Sequence, residues 1–147
     1  MLYGLSVATD ASRIASGDLD GDGNVDLAVL DGSNGFVGLW FGRGDGSFGP
    51  LFDIELPGVG RRAIAAMDLD LDGIDDVVLL TSRGVSVAMN GPRRAVPSTT
   101  FALDFAPNRL GASDLALGDV NDDDHPDIAV ARTAPACDVQ LFLSRCE

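Results

Sequence analysis

Short apolar runs, each bounded by polar and turn-forming residues, recur along the chain. Residues 27–30, 77–80 and 128–131 are each four consecutive apolar residues, partly β-branched. Runs of this length are typical of buried strands and are too short for most helices. Alternating segments such as residues 85–89 predict further strands whose two faces differ in polarity. The pattern therefore predicts an all-β fold.

The predicted strands fall into three units with the same internal order. In each unit a strand leads into a polar loop, a buried run follows the loop, and turn residues separate the later strands. We place the units at about residues 10–57, 58–106 and 107–147. The predicted strands are 13–17, 27–30, 36–41 and 48–56 in the first unit, 62–67, 77–80, 85–89 and 99–105 in the second, and 113–118, 128–131 and 139–143 in the third.

The strand count indicates how the two ends of the chain are related. The third unit lacks a fourth strand, whereas an alternating segment at residues 2–7 precedes the first unit. Four-stranded units of about 40–50 residues arranged radially are typical of β-propellers. We therefore predict a β-propeller made of four-stranded antiparallel blades, with three blades per chain and residues 1–9 as a closing strand.

The polar loop of each unit carries acidic residues at alternate positions. In the first unit the nine-residue loop begins at Asp18, has carboxylates at positions 1, 3, 5 and 9, and has Gly23 at position 6. Related loops begin at Asp68 and Asp119, which are 50 and 51 residues further on in turn. Calcium takes six to eight oxygen ligands at roughly 2.3–2.6 Å, and carboxylates this close repel each other without a cation. The loops thus predict about three Ca²⁺ ions per chain.

The loops differ from those of EF-hands at one decisive position. An EF-hand requires a bidentate glutamate at loop position 12. That position is occupied by Val29, Leu79 and Val130 in the three units, and each lies within a predicted strand. The sequence therefore excludes an EF-hand, and a dockerin-like loop for the same reason.

Composition and charge exclude several classes of function. The formal net charge is −13, and all but two of the 23 acidic residues are aspartates. The basic residues are ten arginines with no lysine, and no basic face is evident that could neutralise phosphates, so nucleic-acid binding is not expected. No apolar stretch approaches the roughly 20 residues of a membrane span.

The termini and the cysteines bear on the compartment. The first residues lack a charged segment and an apolar core, so we do not expect them to form a signal peptide. Either the protein is not secreted or its signal is missing from this sequence. Cys137 and Cys146 lie nine residues apart around a predicted strand, which places them beyond disulfide reach unless the chain doubles back. The residues leave open whether these are free thiols or part of a bridge.

The first unit resembles the FG-GAP repeat, also called the VCBS-type repeat. The resemblance rests on residues 17–29, Gly-Asp-Leu-Asp-Gly-Asp-Gly-Asn-Val-Asp-Leu-Ala-Val, and on the later Gly-Asp-Gly-Ser-Phe of residues 44–48. The three spaced loops extend it over essentially the whole chain. The propellers of integrin alpha chains are similar, and in this family the loop between the first two strands of a blade binds Ca²⁺.

The resemblance implies a ligand set for each loop. Position 7 would contribute a backbone oxygen, and positions 1, 3, 5 and 9 would contribute side chains. The third loop departs from the pattern, because Asn121 replaces an acid and Asp124 replaces the glycine. We expect Asp124 to accept the left-handed turn that glycine makes easily, and the third site to be occupied but the weakest. The implied ligands are Asp18, Asp20, Asp22, Asn24 and Asp26 in the first loop, Asp68, Asp70, Asp72, Ile74 and Asp76 in the second, and Asp119, Asn121, Asp123, His125 and Asp127 in the third.

The number of blades implies a partner. Propellers have about 4–8 blades, so three blades cannot close around an axis and would leave two apolar blade faces exposed. Self-association would cover the exposed faces and close the ring. We expect a homodimer with six blades, with a homotrimer of nine as the less favoured arrangement. The alternative is that the sequence is a piece of a larger propeller.

The chemistry of the side chains favours a binding module over an enzyme. With one histidine and no lysine, the chain offers no evident nucleophile and base pair, and the clustered carboxylates are accounted for by the loops. We expect a non-catalytic, calcium-binding scaffold in an extracellular or periplasmic setting, with a glycan or protein as a further ligand. The alternatives are a lectin, for which Trp40, Phe36 and Phe41 are the candidate stacking residues, and an accessory piece of an enzyme.

Overall fold

The described part of the chain is built from β-strands alone. The computed structural model describes residues 11–31, 36–56, 60–82, 84–90, 99–104, 111–133 and 137–144. These residues contain no helix, and therefore none that could span a membrane. The strands are β1 (Ala11–Gly17), β2 (Asp26–Asp31), β3 (Phe36–Trp40), β4 (Phe52–Glu55), β5 (Ala63–Met67), β6 (Asp76–Leu80), β7 (Gly84–Met89), β8 (Thr99–Asp104), β9 (Ala112–Gly118), β10 (Asp127–Arg132) and β11 (Val139–Phe142).

The strands form three antiparallel sheets in which each strand pairs with its neighbour in sequence. The first sheet has the order β1-β2-β3-β4, the second β5-β6-β7-β8 and the third β11-β10-β9. This confirms the predicted all-β class and agrees with sheets of the kind that form propeller blades. The predicted strand at residues 2–7 lies outside the described residues.

One predicted strand is much shorter than expected. Residues 48–56 were predicted to be a strand, but β4 begins only at Phe52. The preceding residues form a tight turn instead, because the N–H of Arg43 donates to the carbonyl of Ser47 (3.0 Å) and that of Gly49 to the carbonyl of Phe41 (2.7 Å). A lone bridge between Gly42 and Phe48 closes this turn and uses the residues that a longer strand would need.

The second sheet lies between the other two, and β6 shows this most clearly. All five residues of β6 are buried. Val77 and Leu79 belong to a core shared with the first sheet, whereas Val78 and Leu80 belong to a core shared with the third. Successive side chains of a strand point to opposite faces, so a strand between two cores must be apolar throughout. This explains why the run at residues 77–80 is apolar without interruption.

The outer sides of the first and third sheets remain exposed in the described structure. Ile14 pairs with Val29 on the side of the first sheet that faces away from its core, and Ile14 is 62% exposed. Leu141 pairs with Ala129 on the corresponding side of the third sheet and is 50% exposed. The end sheets thus present apolar side chains to solvent, whereas all five residues of β6 in the middle sheet are buried.

Candidate metal centre

Each acidic loop connects the first two strands of a sheet. The loop of residues 18–26 begins directly after β1 and ends at the start of β2, and the pairing of Gly17 with Asp26 closes its base. The loops of residues 68–76 and 119–127 have the same place in the second and third sheets, closed by Met67 with Asp76 and by Gly118 with Asp127. The sequence pattern therefore corresponds to one structural position used three times.

The first aspartate of each loop organises the backbone around its carboxylate. Asp18 accepts hydrogen bonds from the N–H groups of Asp22 (3.1 Å) and Gly23 (2.8 Å), and also from Gly21 (2.8 Å). The equivalent bonds to Asp68 come from Asp72 and Gly73, and those to Asp119 come from Asp123 and Asp124. Because the same bonds recur, the three loops share one conformation at positions 1 to 6.

Position 7 is held by position 5 in the same way in all three loops. The N–H groups of Asn24, Ile74 and His125 donate to the position-5 carboxylates at 2.8, 2.9 and 3.0 Å respectively. These bonds continue the coil of the loop by one more residue. Ile74 differs from its counterparts because its side chain is buried.

This coil requires positive φ at two positions of each loop. Position 6 has φ of 83° at Gly23, 89° at Gly73 and 64° at Asp124, so the aspartate adopts the left-handed conformation that we expected of it. Position 4 has the same requirement, with φ of 73° at Gly21, 62° at Leu71 and 59° at Asp122. Position 4 was not predicted, although Gly21 gives a signal for it in the first loop.

The coil brings carboxylates together in the first two loops. Oxygens of Asp18, Asp20 and Asp22 lie within 4.8 Å of one another, as do oxygens of Asp68, Asp70 and Asp76. A set of carboxylate oxygens at this spacing suits a hard cation such as Ca²⁺, and the set carries three negative charges that a cation would offset. The donor atoms of these two loops therefore fit a divalent metal ion.

The third loop forms no such group of acids within the described residues. Asn121 stands at position 3, and its side-chain N–H donates to the carboxylate of Asp123 at 3.0 Å, while its own oxygen accepts from the N–H of Asp123 at 3.1 Å. Loss of solvent contact acts to raise the pKa of Asp119, but the N–H groups of Asp124, Asp123 and Asn121 outweigh it and hold the pKa below its usual range. The third loop thus keeps the shared backbone and has one carboxylate fewer at positions 1, 3, 5 and 9.

The last aspartate of each loop is buried and joins the loop to a later part of its sheet. Asp26 accepts hydrogen bonds from the N–H of Leu19 (2.8 Å) within the loop and from the N–H of Gly42 (2.6 Å) after β3. Asp76 does the same with Leu69 and Asn90, and Asp127 with Val120 and Ser144. We call Asp26, Asp76 and Asp127 the clip aspartates.

Burial sets the acidity of two clip aspartates. Burial raises the pKa of Asp26 above its usual value, although the N–H groups of Gly42 and Leu19 act to lower it. Burial raises the pKa of Asp76 to about 6, against the lowering effect of the N–H groups of Asn90 and Leu69. The family resemblance implied that these residues are metal ligands but gave no sign of these hydrogen bonds, since partners from after the third strand are not evident from spacing.

Other residues singled out from the sequence are placed as follows. Trp40 and Phe41 are buried, and Phe36 is 40% exposed. Cys137 is an exposed free thiol, and Cys146 lies outside the described residues.

Comparison with known families supports the resemblance seen in the sequence. Residues 18–79, from the first acidic loop to β6, match the family described as the FG-GAP-like repeat. This segment is therefore similar to an FG-GAP-type repeat, and the match spans both of the loops in which three carboxylates converge. No curated protein and no solved structure showed a significant match to the chain.

Proposed function

We propose that this chain is a non-catalytic, calcium-binding β-propeller module that acts as a structural or recognition scaffold. The observation that carries the proposal is the recurrence of a three-carboxylate cluster at the same place in two successive sheets. The FG-GAP-like repeat over residues 18–79 supports it, since such repeats often bind calcium. The choice of Ca²⁺ over Mg²⁺ follows from the donors, because several flexible carboxylates suit the larger ion better than a strict octahedral shell.

The third loop has a place in this proposal as a weaker site. Its backbone matches that of the other two loops, and Asn121 offers an amide oxygen where they offer a carboxylate. Fewer negative charges in the donor set reduce the attraction for a cation. We therefore expect up to three ions per chain, with the lowest affinity in the third loop.

Calcium would contribute to folding in this proposal. The carboxylates of Asp18, Asp20 and Asp22 are held close together only in the folded chain, so an ion that binds them favours the native state. Such a ligand stabilises by RT ln(1 + [L]/Kd), about 4 kcal/mol per site when calcium is present at a thousand times its dissociation constant. This dependence suits a calcium-rich extracellular or periplasmic setting.

Thermal unfolding in EDTA and in millimolar CaCl₂ tests the metal proposal. We expect a rise of several degrees in Tm with calcium and a smaller rise with MgCl₂. Asp70→Ala removes an exposed carboxylate of the second cluster and should reduce the calcium-dependent rise, whereas Asp53→Ala, on β4 and outside the loops, should not. Equal melting temperatures in EDTA and CaCl₂ would contradict the proposal.

We further propose that the chain self-associates through the exposed outer sides of the first and third sheets. Ile14 on one side, and Val139 and Leu141 on the other, are at least half exposed. The two internal cores show that sheets of this chain pack against each other face to face. A second copy could continue the same packing and would bring the assembly to six sheets, within the range of about 4–8 blades at which propellers close. A mass near twice 15.3 kDa by light scattering is the expected result.

A further inference from the structure

The first and second acidic loops are directly joined through a single residue, Asp75. The N–H of Asp75 donates to the carbonyl of Asp18 at 2.8 Å, and the N–H of Asp18 donates to a carboxylate oxygen of Asp75 at 2.9 Å. Asp75 therefore holds the main chain of Asp18 from both of its backbone groups. These bonds cross between the first and second sheets.

Close packing around this junction shows that the two loops are fitted to each other. A Cβ atom at Gly17 would lie 2.3 Å from the carboxylate of Asp75, so only glycine leaves room for the contact. A Cβ atom at Gly21 would lie 3.0 Å from the side chain of Ile74, which is buried. The residue before Asp75 thus packs on the first loop as well.

Both partners of the junction are tied to carboxylates of the two clusters. Asp18 contributes to the first cluster, and its carboxylate also accepts the N–H groups that shape the first loop. Asp75 is bonded in sequence to Asp76 of the second cluster, and its carbonyl accepts a hydrogen bond from the side chain of Asn90 at 2.6 Å. The two hydrogen bonds between Asp75 and Asp18 therefore connect the backbone of one loop to that of the other.

The third loop lacks the means to make an equivalent junction. Asp75 occupies position 8 of its loop, and position 8 of the third loop is Pro126. Proline has no backbone N–H to donate and no carboxylate to accept. Pro126 instead lines an apolar cavity together with Leu69 and Met89. The contrast within one chain gives a natural control for the role of Asp75.

We propose that Asp75 is a positioning residue that couples cation binding in the first loop to cation binding in the second, and that the third loop binds independently. The inference rests on the proposed calcium function. Ordering of the second loop fixes Asp75, which in turn fixes Asp18 where its carboxylate meets those of Asp20 and Asp22. Part of the entropy cost of ordering the first loop is then already met, which produces positive cooperativity. The coupling is reciprocal between the two loops.

A calcium titration followed by amide NMR tests the coupling site by site. The amides of Gly23, Gly73 and Asp124 occupy position 6 of the three loops and report on each loop separately. In the unmodified chain we expect the signals of Gly23 and Gly73 to shift along one cooperative curve, and that of Asp124 to follow its own. Independent curves for Gly23 and Gly73 would overturn the proposal.

Variants then show whether Asp75 carries the coupling. Asp70→Ala weakens the second loop and should lower calcium affinity at Gly23 by about fivefold or more, in line with typical coupling strengths. In a chain that already carries Asp75→Ala, adding Asp70→Ala should lower the calcium affinity at Gly23 little further. Asn121→Ala, the change at the same position of the third loop, should leave the calcium affinity at Gly23 unaffected. If Asp70→Ala lowers the calcium affinity at Gly23 equally in chains with and without Asp75, the proposal is overturned.

Three variants separate the effect of the hydrogen bonds and the close packing from the effect of charge. Asp75→Asn keeps an oxygen for the N–H of Asp18 and should preserve the coupling, whereas Gly17→Ala should weaken it by forcing the loops apart. Asp53→Ala alters the net charge as Asp75→Ala does, and should preserve the coupling. If no amide responds to calcium in any loop, the proposed function fails as well, whereas binding without coupling overturns only the role of Asp75.

Discussion

At the scale of single residues, position 4 of the second loop is an unfavourable place for its side chain. Leu71 has φ of 62° and is 53% exposed, whereas the first loop has Gly21 at this position. A left-handed conformation costs roughly 1–2 kcal/mol for a residue with a Cβ atom. An exposed leucine recovers little of that cost through packing, so the loop keeps a strained residue.

Leu71→Gly should therefore stabilise the protein by about 0.5–1 kcal/mol. The relief of strain exceeds the loss that arises from the greater freedom of glycine in the unfolded chain. Urea unfolding in EDTA measures the change without any contribution from metal. Val120→Gly, at an exposed loop position without positive φ, is the control and should be destabilising. A loss of stability in Leu71→Gly would show that the backbone is not strained there.

The residue scale also shows how far the sequence could predict the site. The polar side chains at alternate positions were sufficient to locate all three loops, and the first two also carry a glycine at position 6; both features follow from local geometry. The left-handed backbone at Asp124 was predicted from the same comparison and is confirmed. The bonds of Asp75 were not predicted, because they depend on how two sheets meet and not on spacing within a loop.

At the scale of elements, the clip aspartates connect parts of a sheet that strand pairing alone leaves separate. Asp26 lies at the start of β2, and its carboxylate reaches Leu19 in the loop and Gly42 beyond β3. One buried side chain thereby joins the loop and the segment after β3 to the start of β2. The sequence predicted the strand order well, since apolar runs and turns alternate regularly. It began β4 four residues too early, because Phe48, the first residue of the predicted strand, forms the bridge to Gly42 that closes the preceding turn.

Asp26→Ala should destabilise the protein by about 3 kcal/mol even in EDTA. The substitution leaves two N–H groups without their buried acceptor, and each such loss costs roughly 1–3 kcal/mol. Asp22→Ala is the control, because Asp22 is an exposed member of the same loop and should cost less than about 1 kcal/mol. Urea unfolding of both variants makes the comparison. Equal losses would mean that the buried hydrogen bonds of Asp26 contribute no more to stability than the exposed carboxylate of Asp22.

At the scale of the whole molecule, three sheets in a row make two cores and leave two outer sides exposed. Val139 and Leu141 on the third sheet are 63% and 50% exposed. Exposed apolar side chains in one patch favour contact with another protein surface. The formal charge of −13 opposes contact between copies, and three bound Ca²⁺ would reduce it to −7 (−13 + 6). The sequence predicted the three sheets; whether the assembly closes stays a prediction.

Leu141→Asp should convert the expected dimer into a folded monomer. The side chain lies on an exposed side of β11, so a carboxylate there is tolerated by the single chain but not within an apolar contact between copies. Light scattering gives the mass, and circular dichroism confirms that the strands remain. Pro50→Asp adds the same charge at an exposed position between β3 and β4 and should leave the mass unchanged. A variant mass equal to that of the parent would exclude this side as the contact.

The position of β6 between two cores also determines the order in which the molecule comes apart. Sheets stacked in a row interact only with their neighbours, so the ends can open while the centre persists. Amide protons of β6 should then exchange with solvent more slowly than those of β1 or β11, whose sheets are covered on one face. The molecule would unfold inward from its two ends, and a neighbour at either end would protect the sheet that it covers.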